Sequence, residues 1–317
     1  MFISICLILL GFVLLMFGGD KLVDGAVGVA RRLHVSPLVI GVVLVGFGTS
    51  VPELVTSIEA ALQGSPGISI GNVIGSNIAN VLLVAGAGAL LIPIASTASA
   101  FSRDNLVLMV ATLLFVISAY SGLINRVVGG FYTAALVIYV IYVMVAERQR
   151  AKAVQHDVQE KDGAQDMSTF MGIFLTFIGI ALTIFGAKVL VIGATDIAKT
   201  FGVSETVIGV TIVALGTSLP ELATAVAAGV KGEADVSIGN IIGSNIYNIF
   251  AILGITSIIT PLTIDPSVLT FDIWVMVAAT LLMIFIPAVL KTINRSVGAL
   301  FLLGYFGYLT AVYILFV

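Results

Sequence analysis

Charge is what this sequence has least of. Only 10% of its 317 residues are Asp, Glu, Lys or Arg, 59% are apolar, and the mean hydropathy is +1.19. A soluble domain carries roughly 25% charged residues to dress its surface, so a soluble fold is excluded. Cys6 is the only cysteine, which rules out an intrachain disulfide and a thiolate metal site. His34 and His156 are the only histidines, and both fall in connections, leaving little material for a transition-metal centre. The alternation of polar and apolar residues that marks a membrane-spanning barrel is also missing from runs such as 2–18 and 106–120.

What remains is apolar sequence long enough to cross a bilayer, which takes about 20 residues in a helix. Ten segments emerge, at 2–19, 36–63, 67–92, 104–120, 124–146, 169–196, 204–230, 236–260, 267–289 and 296–317. The expected fold is an all-α integral membrane protein with ten transmembrane helices. The first segment lacks a basic leader and has a counterpart later in the chain, so it reads as a retained helix rather than a signal peptide. Of the 14 Lys and Arg residues, 11 fall on the side of the polar 147–168 segment; Arg126, Lys188 and Lys199 fall on the other. That asymmetry places 147–168 in the cytoplasm and both termini outside, in a multi-pass protein of the cell membrane.

The chain is one pattern written twice. At an offset of 168 residues, 41–80 and 209–248 share 22 identities in 40 positions. GTSVPEL at 48–54 answers GTSLPEL at 216–222, and SIGNVIGSNIAN at 69–80 answers SIGNIIGSNIYN at 237–248. Five helices in each half mean that the second copy enters the membrane from the opposite side, which makes two inverted five-helix repeats. The halves are read as 1–146 and 169–317, joined by a solvated linker at 147–168.

Glu53 and Glu221 sit mid-segment, where an ionisable group costs several kcal/mol unless it meets water or a partner. No Lys or Arg lies at matching depth, so the natural partner is a cation. Pro52 and Pro220 lack the N–H that the carbonyls of Gly48 and Gly216 would accept from, so each motif should break its helix. Freed carbonyls are expected at Gly46–Thr49 and Ala214–Thr217, tolerated where they are buried in protein or line a cavity. The hydroxyls of Thr49, Ser50, Thr217 and Ser218 stand at the same level. In the second motif Asn72, Ser76 and Asn80 share one helix face, as do Asn240, Ser244 and Asn248. Asn77 and Asn245 point elsewhere and are assigned to hydrogen bonds between helices. Gly71, Gly75, Gly239 and Gly243 carry the small-xxx-small spacing of close helix packing. Glu59 lies near a helix end and reads as a solvated rim carboxylate. The donor inventory is oxygen alone, which suits Ca2+, Na+ or Mg2+, and six to eight flexible oxygens favour Ca2+ over octahedral Mg2+.

The paired GTS(V/L)PE and GN(V/I)IGSNIxN motifs resemble the two α-repeats of the calcium/cation antiporter superfamily, and most of all its prokaryotic sodium/calcium exchanger branch. The resemblance covers essentially the whole chain. It implies exchange of three Na+ for one Ca2+ at four sites between the repeats, as the first and sixth helices slide against the rest. Carried over by position, it implies that Glu53 and Glu221 serve both ions and that Thr49 and Thr217 give carbonyls to Ca2+. Ser50, Ser76, Ser218 and Ser244, with the carbonyls of Gly46 and Ala214, would complete the Na+ sites, and Asn80 and Asn248 would line the centre. Several relatives, including the potassium-dependent branch, carry Asp at the place of Asn248, so Asn here argues against K+ co-transport.

H+/Ca2+ antiport on the same scaffold and K+-dependent Na+/Ca2+ exchange are the alternatives. A channel is disfavoured because filters are built by subunits around a central axis. An intramembrane enzyme is disfavoured because Ser50 and Ser218 lack a base to activate them. The expected partners are Ca2+ and Na+ as substrates and the lipid bilayer, with no cofactor and no nucleic acid, in a monomer.

Overall fold

The computed structural model describes residues 1–33, 35–95, 99–154, 167–202 and 214–316. The chain opens with α1 (Phe2–Leu33), followed by a broken span of α2 (Pro37–Ile40), a π-helical turn at Gly41–Val45, α3 (Gly46–Thr49) and α4 (Val51–Leu62). Next come α5 (Pro66–Ala79), a second π-helical turn at Asn80–Ala85, α6 (Gly86–Leu91), α7 (Ser99–Tyr120) and α8 (Arg126–Val154). The second half holds α9 (Thr169–Thr200), α10 (Ala214–Thr217), α11 (Leu219–Val230), α12 (Ala234–Tyr247), a third π-helical turn at Asn248–Leu253 and α13 (Gly254–Ile259). It ends with α14 (Asp272–Leu290) and α15 (Arg295–Phe316).

Among the described residues eight helical spans are long and apolar enough to cross a bilayer, and the 37–62 pair makes a ninth that bends by 41°. The start of the expected 204–230 span, up to 213, lies outside the described residues, as do His34, His156 and 155–166 of the expected linker. Two differences from the sequence reading have clear causes. The first span does not stop at 19 but runs to Leu33, because its charges are paired. Lys21 lies 3.2 Å from Asp20 and 3.7 Å from Asp24, and Lys231 reaches Asp20 at 2.6 Å and Asp24 at 2.5 Å. Burial alone would lower the Lys231 ammonium, but its hydrogen bonds to Asp20 and Asp24 outweigh it and hold the group above its usual value. The other difference is that the fold is not purely helical. Two-residue ribbons pair β1 (Ile94–Ala95) with β4 (Thr292–Ile293), and β2 (Leu123–Ile124) with β3 (Leu262–Thr263). Each ribbon joins one half of the chain to the other.

At 32 residues each, α1 and α9 run about 48 Å, well beyond a hydrocarbon core of roughly 30 Å. They lie antiparallel along a glycine seam with a seven-residue spacing, Gly11, Gly18 and Gly25 against Gly172, Gly179, Gly186 and Gly193. A Cβ on Gly11 would come 2.6 Å from the Leu190 nitrogen, and one on Gly193 would come 2.5 Å from the Ser4 oxygen. Small residues let two membrane helices approach this closely. Replacing Gly179 with Leu should therefore cost about 3 kcal/mol by overpacking, since even a Cβ there would sit 2.6 Å from the Leu22 Cα. The melting temperature in detergent should fall clearly, while Gly307→Ala, which meets no described atom within 4 Å, should leave it unchanged. Equal melting of all three proteins would show that the seam does not hold the pair together.

The main core lies on the other side of the broken spans. It gathers Ile70, Val73, Ile74 and Ile78 of α5, Ile238, Ile241, Ile242 and Ile246 of α12, and Leu108 and Phe115 of α7. Buried polar side chains interrupt that surrounding, and those of the two repeated motifs gather around the broken spans.

Candidate functional site

The two broken spans meet the two polar helices at the centre of the fold. Each break falls on the serine of its motif. Ser50 (φ −85°, ψ 4°) separates α3 from α4, and Ser218 (φ −87°, ψ 2°) separates α10 from α11. The motif glycine of each repeat, Gly48 or Gly216, stays helical. It serves as a gap, because a Cβ on Gly48 would strike Ile180 and one on Gly216 would strike Val191, both on α9. Pro52 and Pro220 then start the new helices in the first turn, where a missing N–H costs nothing. That puts Glu53 and Glu221 in the first turn of α4 and α11, facing inward and each 1% exposed.

Neither carboxylate makes an ion pair among the described residues. Hydroxyls surround them. Glu221 Oε1 accepts weakly from Ser50 and Ser244, both at 3.5 Å, and Glu53 engages the Thr217 hydroxyl. The Thr49 hydroxyl donates to Asn240 Oδ1 at 3.1 Å, and Ser244 donates to the Gly46 carbonyl at 3.3 Å. Asn80 Nδ2 donates to Asn245 Oδ1 at 3.1 Å. So nine of the twelve sequence-predicted residues are tied in by a contact or line the adjoining cavity: Glu53, Glu221, Thr49, Thr217, Ser50, Ser76, Ser244, Asn80 and Gly46; Ser218 and Asn248 are buried with unmatched polar atoms. The twelfth, Ala214, begins the turn that leads to Thr217.

Several buried atoms here have no hydrogen-bond partner among the described residues. They are Glu53 Oε2, Glu221 Oε2, Ser218 Oγ, Asn80 Oδ1 and both polar atoms of Asn248. Leaving one such group unmatched costs about 1–3 kcal/mol. Their recurrence on both copies of the motif marks these residues as candidates for a partner that the fold itself does not supply. A cavity of about 340 Å³ reaches this region and is lined there by Asn72, Ser76 and Thr217.

Some roles differ from the sequence reading. Asn72 and Asn240 lie on the expected face, but they brace the carboxylate helices rather than offering free oxygens. Asn72 Nδ2 donates to the Glu53 carbonyl at 3.1 Å and to Ser57 at 2.9 Å, and Asn240 Nδ2 donates to the Glu221 carbonyl at 3.5 Å. Asn245 makes the expected bond between helices; Asn77 does not, donating to Val73 of its own helix at 2.7 Å. Glu59 is exposed and held by Gln63, as a rim carboxylate should be. Gly239 and Gly243 pack against the 37–46 segment, whereas the repeat counterpart of that segment, 205–214, lies almost wholly outside the described residues, so the packing of Gly71 and Gly75 is not described. The π-helical turns beginning at Asn80 and Asn248 were not foreseen. Such turns are frequent at functional sites, and only the repeated Asn marks them in the sequence.

Comparison with known proteins decides the family. The model of the sodium/calcium exchanger protein family matches twice, over residues 3–146 and 171–314. The chain belongs to the sodium/calcium exchanger protein family. It is 33% identical to the sodium/calcium exchanger MaX1 of Methanosarcina acetivorans, covering 98% of this chain and 99% of the relative. It is 34% identical to the inner membrane protein YrbG of Escherichia coli (strain K12), over 89% of this chain and 88% of that one. Among solved structures, the sodium-calcium exchanger NCX_Mj soaked with Na+ and Sr2+ superposes with a TM-score of 0.84 at 32% identity, covering 98% of this chain and 99% of that one. The sodium/calcium exchanger family and its structural neighbours are transporters rather than enzymes, and they move ions without a cofactor.

Proposed function

We propose that this exchanger-family chain is a secondary antiporter that moves Ca2+ against Na+ across the cell membrane. The observation that carries this reading is the buried, oxygen-only shell built by both halves, with two repeat-related carboxylates and their unmatched oxygens at its centre. Two carboxylates balance the charge of one Ca2+, and Ca2+ accepts six to eight oxygens in flexible geometry. In this reading Glu53 and Glu221 serve both ions, and Thr49 and Thr217 give backbone carbonyls to Ca2+. Ser50, Ser76, Ser218, Ser244 and the carbonyls of Gly46 and Ala214 serve Na+, with Asn80 and Asn248 lining the centre. The same oxygens cannot hold both ions at once. Exchange follows from that competition.

The architecture proposed with it has ten transmembrane helices in two inverted five-helix repeats, 1–146 and 169–317. A cytoplasmic linker at 147–168 joins them, both termini lie outside, and the chain works as a monomer. The 168-residue offset supports this, because the motifs, the π-helical turns beginning at Asn80 and Asn248, and strands β1 and β3 recur at it. A site between two such repeats can be exposed to either face by moving one against the other.

Purified protein in liposomes tests the coupling. An outward Na+ gradient should drive saturable uptake of radiolabelled Ca2+, and neither a proton gradient alone nor added K+ should replace it. Ca2+ uptake indifferent to Na+ but driven by protons would move the chain to H+/Ca2+ antiport. An absolute need for K+ would move it to the potassium-dependent class.

A further inference from the structure

Two aspartates related by the repeat have been given opposite surroundings. Asp104 on α7 is fully buried and neutralised. Arg103 donates to it from Nε at 2.7 Å and Nη2 at 3.0 Å, and the Tyr139 hydroxyl donates at 2.9 Å. Arg103 also reaches Glu147 at 3.8 Å, and Glu147 accepts from the Ser36 backbone N–H at 3.2 Å, so this carboxylate is locked into the packed end of the bundle. Its counterpart Asp272, 168 residues on, has Phe271 where Asp104 has Arg103. Asp272 is half-buried at the start of α14 and accepts from the Tyr308 hydroxyl at 3.0 Å; no cation pairs with it among the described residues. Phe271 stacks on Tyr308 with ring centroids 6.0 Å apart, which steadies that hydroxyl over the carboxylate.

The place of Asp272 gives this difference a consequence. Asp272, Tyr305 and Tyr308 line the same 340 Å³ cavity as Asn72, Ser76 and Thr217. The connection before Asp272 pairs through β3 with β2, which precedes α8, so Asp272 sits at the end away from the 147–168 segment. Arg103 contacts Glu147 near the other end of α8, so Asp104 sits at the end that carries that segment. A carboxylate on the wall of a cleft with low-dielectric sides concentrates cations inside it. Asp104 cannot act in this way, because its charge is already answered by Arg103.

We infer that Asp272 captures cations on the route to the site from the face away from the linker, a role that its repeat counterpart Asp104 does not share. The inference deepens the exchange reading and rests on it for the nature of the cargo. An acidic residue in a first helical turn also favours its own helix, so stability alone is not a sufficient readout.

The test compares parent, Asp272→Asn and Tyr308→Phe in vesicles of one orientation, with Ca2+ presented to one face and then to the other. From the face away from the linker, Asp272→Asn should raise the KM for Ca2+ about fivefold at unchanged maximal rate. That rise should shrink at high salt, as expected of a screened charge. From the linker face KM should not move, and Tyr308→Phe, which keeps the charge, should leave KM at or below the parent value. An unchanged KM from both faces would overturn the inference. So would an equal loss of maximal rate from both, the mark of a purely structural role. If the parent moves Ca2+ on a proton gradient instead, the Na+ coupling fails while the same KM comparison still decides the role of Asp272.

Discussion

Glu53→Gln and Glu221→Gln should each lower Ca2+ flux more than 100-fold while leaving a folded protein. Gln keeps the shape of Glu and can still bond to the neighbouring hydroxyls, so the substitution removes charge and little else. Charge is what the site needs, because a divalent ion stripped of water must be balanced by its ligands. Folding should not suffer. The two carboxylates are 1% exposed and have no basic partner among the described residues, so neutralising one relieves a buried charge rather than orphaning it. The melting temperature in ion-free detergent should hold or rise. The parent should gain stability as Ca2+ is added, because an ion that binds only the folded state stabilises it, and the variants should lose that gain. Two Gln variants with undiminished Ca2+ exchange would remove the carboxylates from the mechanism.

How far the sequence carried the reading depends on the kind of signal. The carboxylates were legible because charge is rare here, and an ionisable residue in a long apolar run stands out. The helix breaks were legible because proline leaves a mark on any helix. Their placement at Ser50 and Ser218 was not, since a proline marks a break without fixing which residue before it leaves helical geometry. The polar stripe of Asn72, Ser76 and Asn80 was legible from its spacing, but the division of labour within it was not. Asn72 braces the Glu53 backbone because α4 happens to lie 3.1 Å away, and spacing along one helix says nothing about that. The length of α1 was missed because a count of charges ignores their pairing, and Lys231 is 207 residues from Asp24. The different fates of Asp104 and Asp272 were within reach, since Arg103 and Phe271 occupy aligned positions, but their meaning depends on which aspartate faces the cavity.

The remaining large effect concerns how the site is held rather than what lines it. α12 crosses the 37–46 segment backbone to backbone, with glycine on both sides. A Cβ on Gly239 would clash with the Leu38 carbonyl oxygen and lie 3.0 Å from both the Gly41 Cα and the Val42 nitrogen. A Cβ on Gly243 would lie 2.7 Å from the Val42 oxygen, and one on Gly46 would lie 3.0 Å from the Ser244 nitrogen. Those atoms are backbone and cannot turn aside. Gly239→Val must therefore push α12 away, and Asn240 and Ser244 ride on α12. Their bonds to Thr49 at 3.1 Å and to the Gly46 carbonyl at 3.3 Å would be the first to open. A shift of roughly 1 Å in groups that position an ion can cost about 100-fold in rate. Gly239→Val should lose at least that much Ca2+ flux, and Gly239→Ala should fall between it and the parent. Loss of flux with Ca2+ still raising the melting temperature would place the defect in movement between states. Loss of both would place it in the site itself, the expected result. Full activity in the Val variant would mean that α12 and the broken span are not in contact in the working protein.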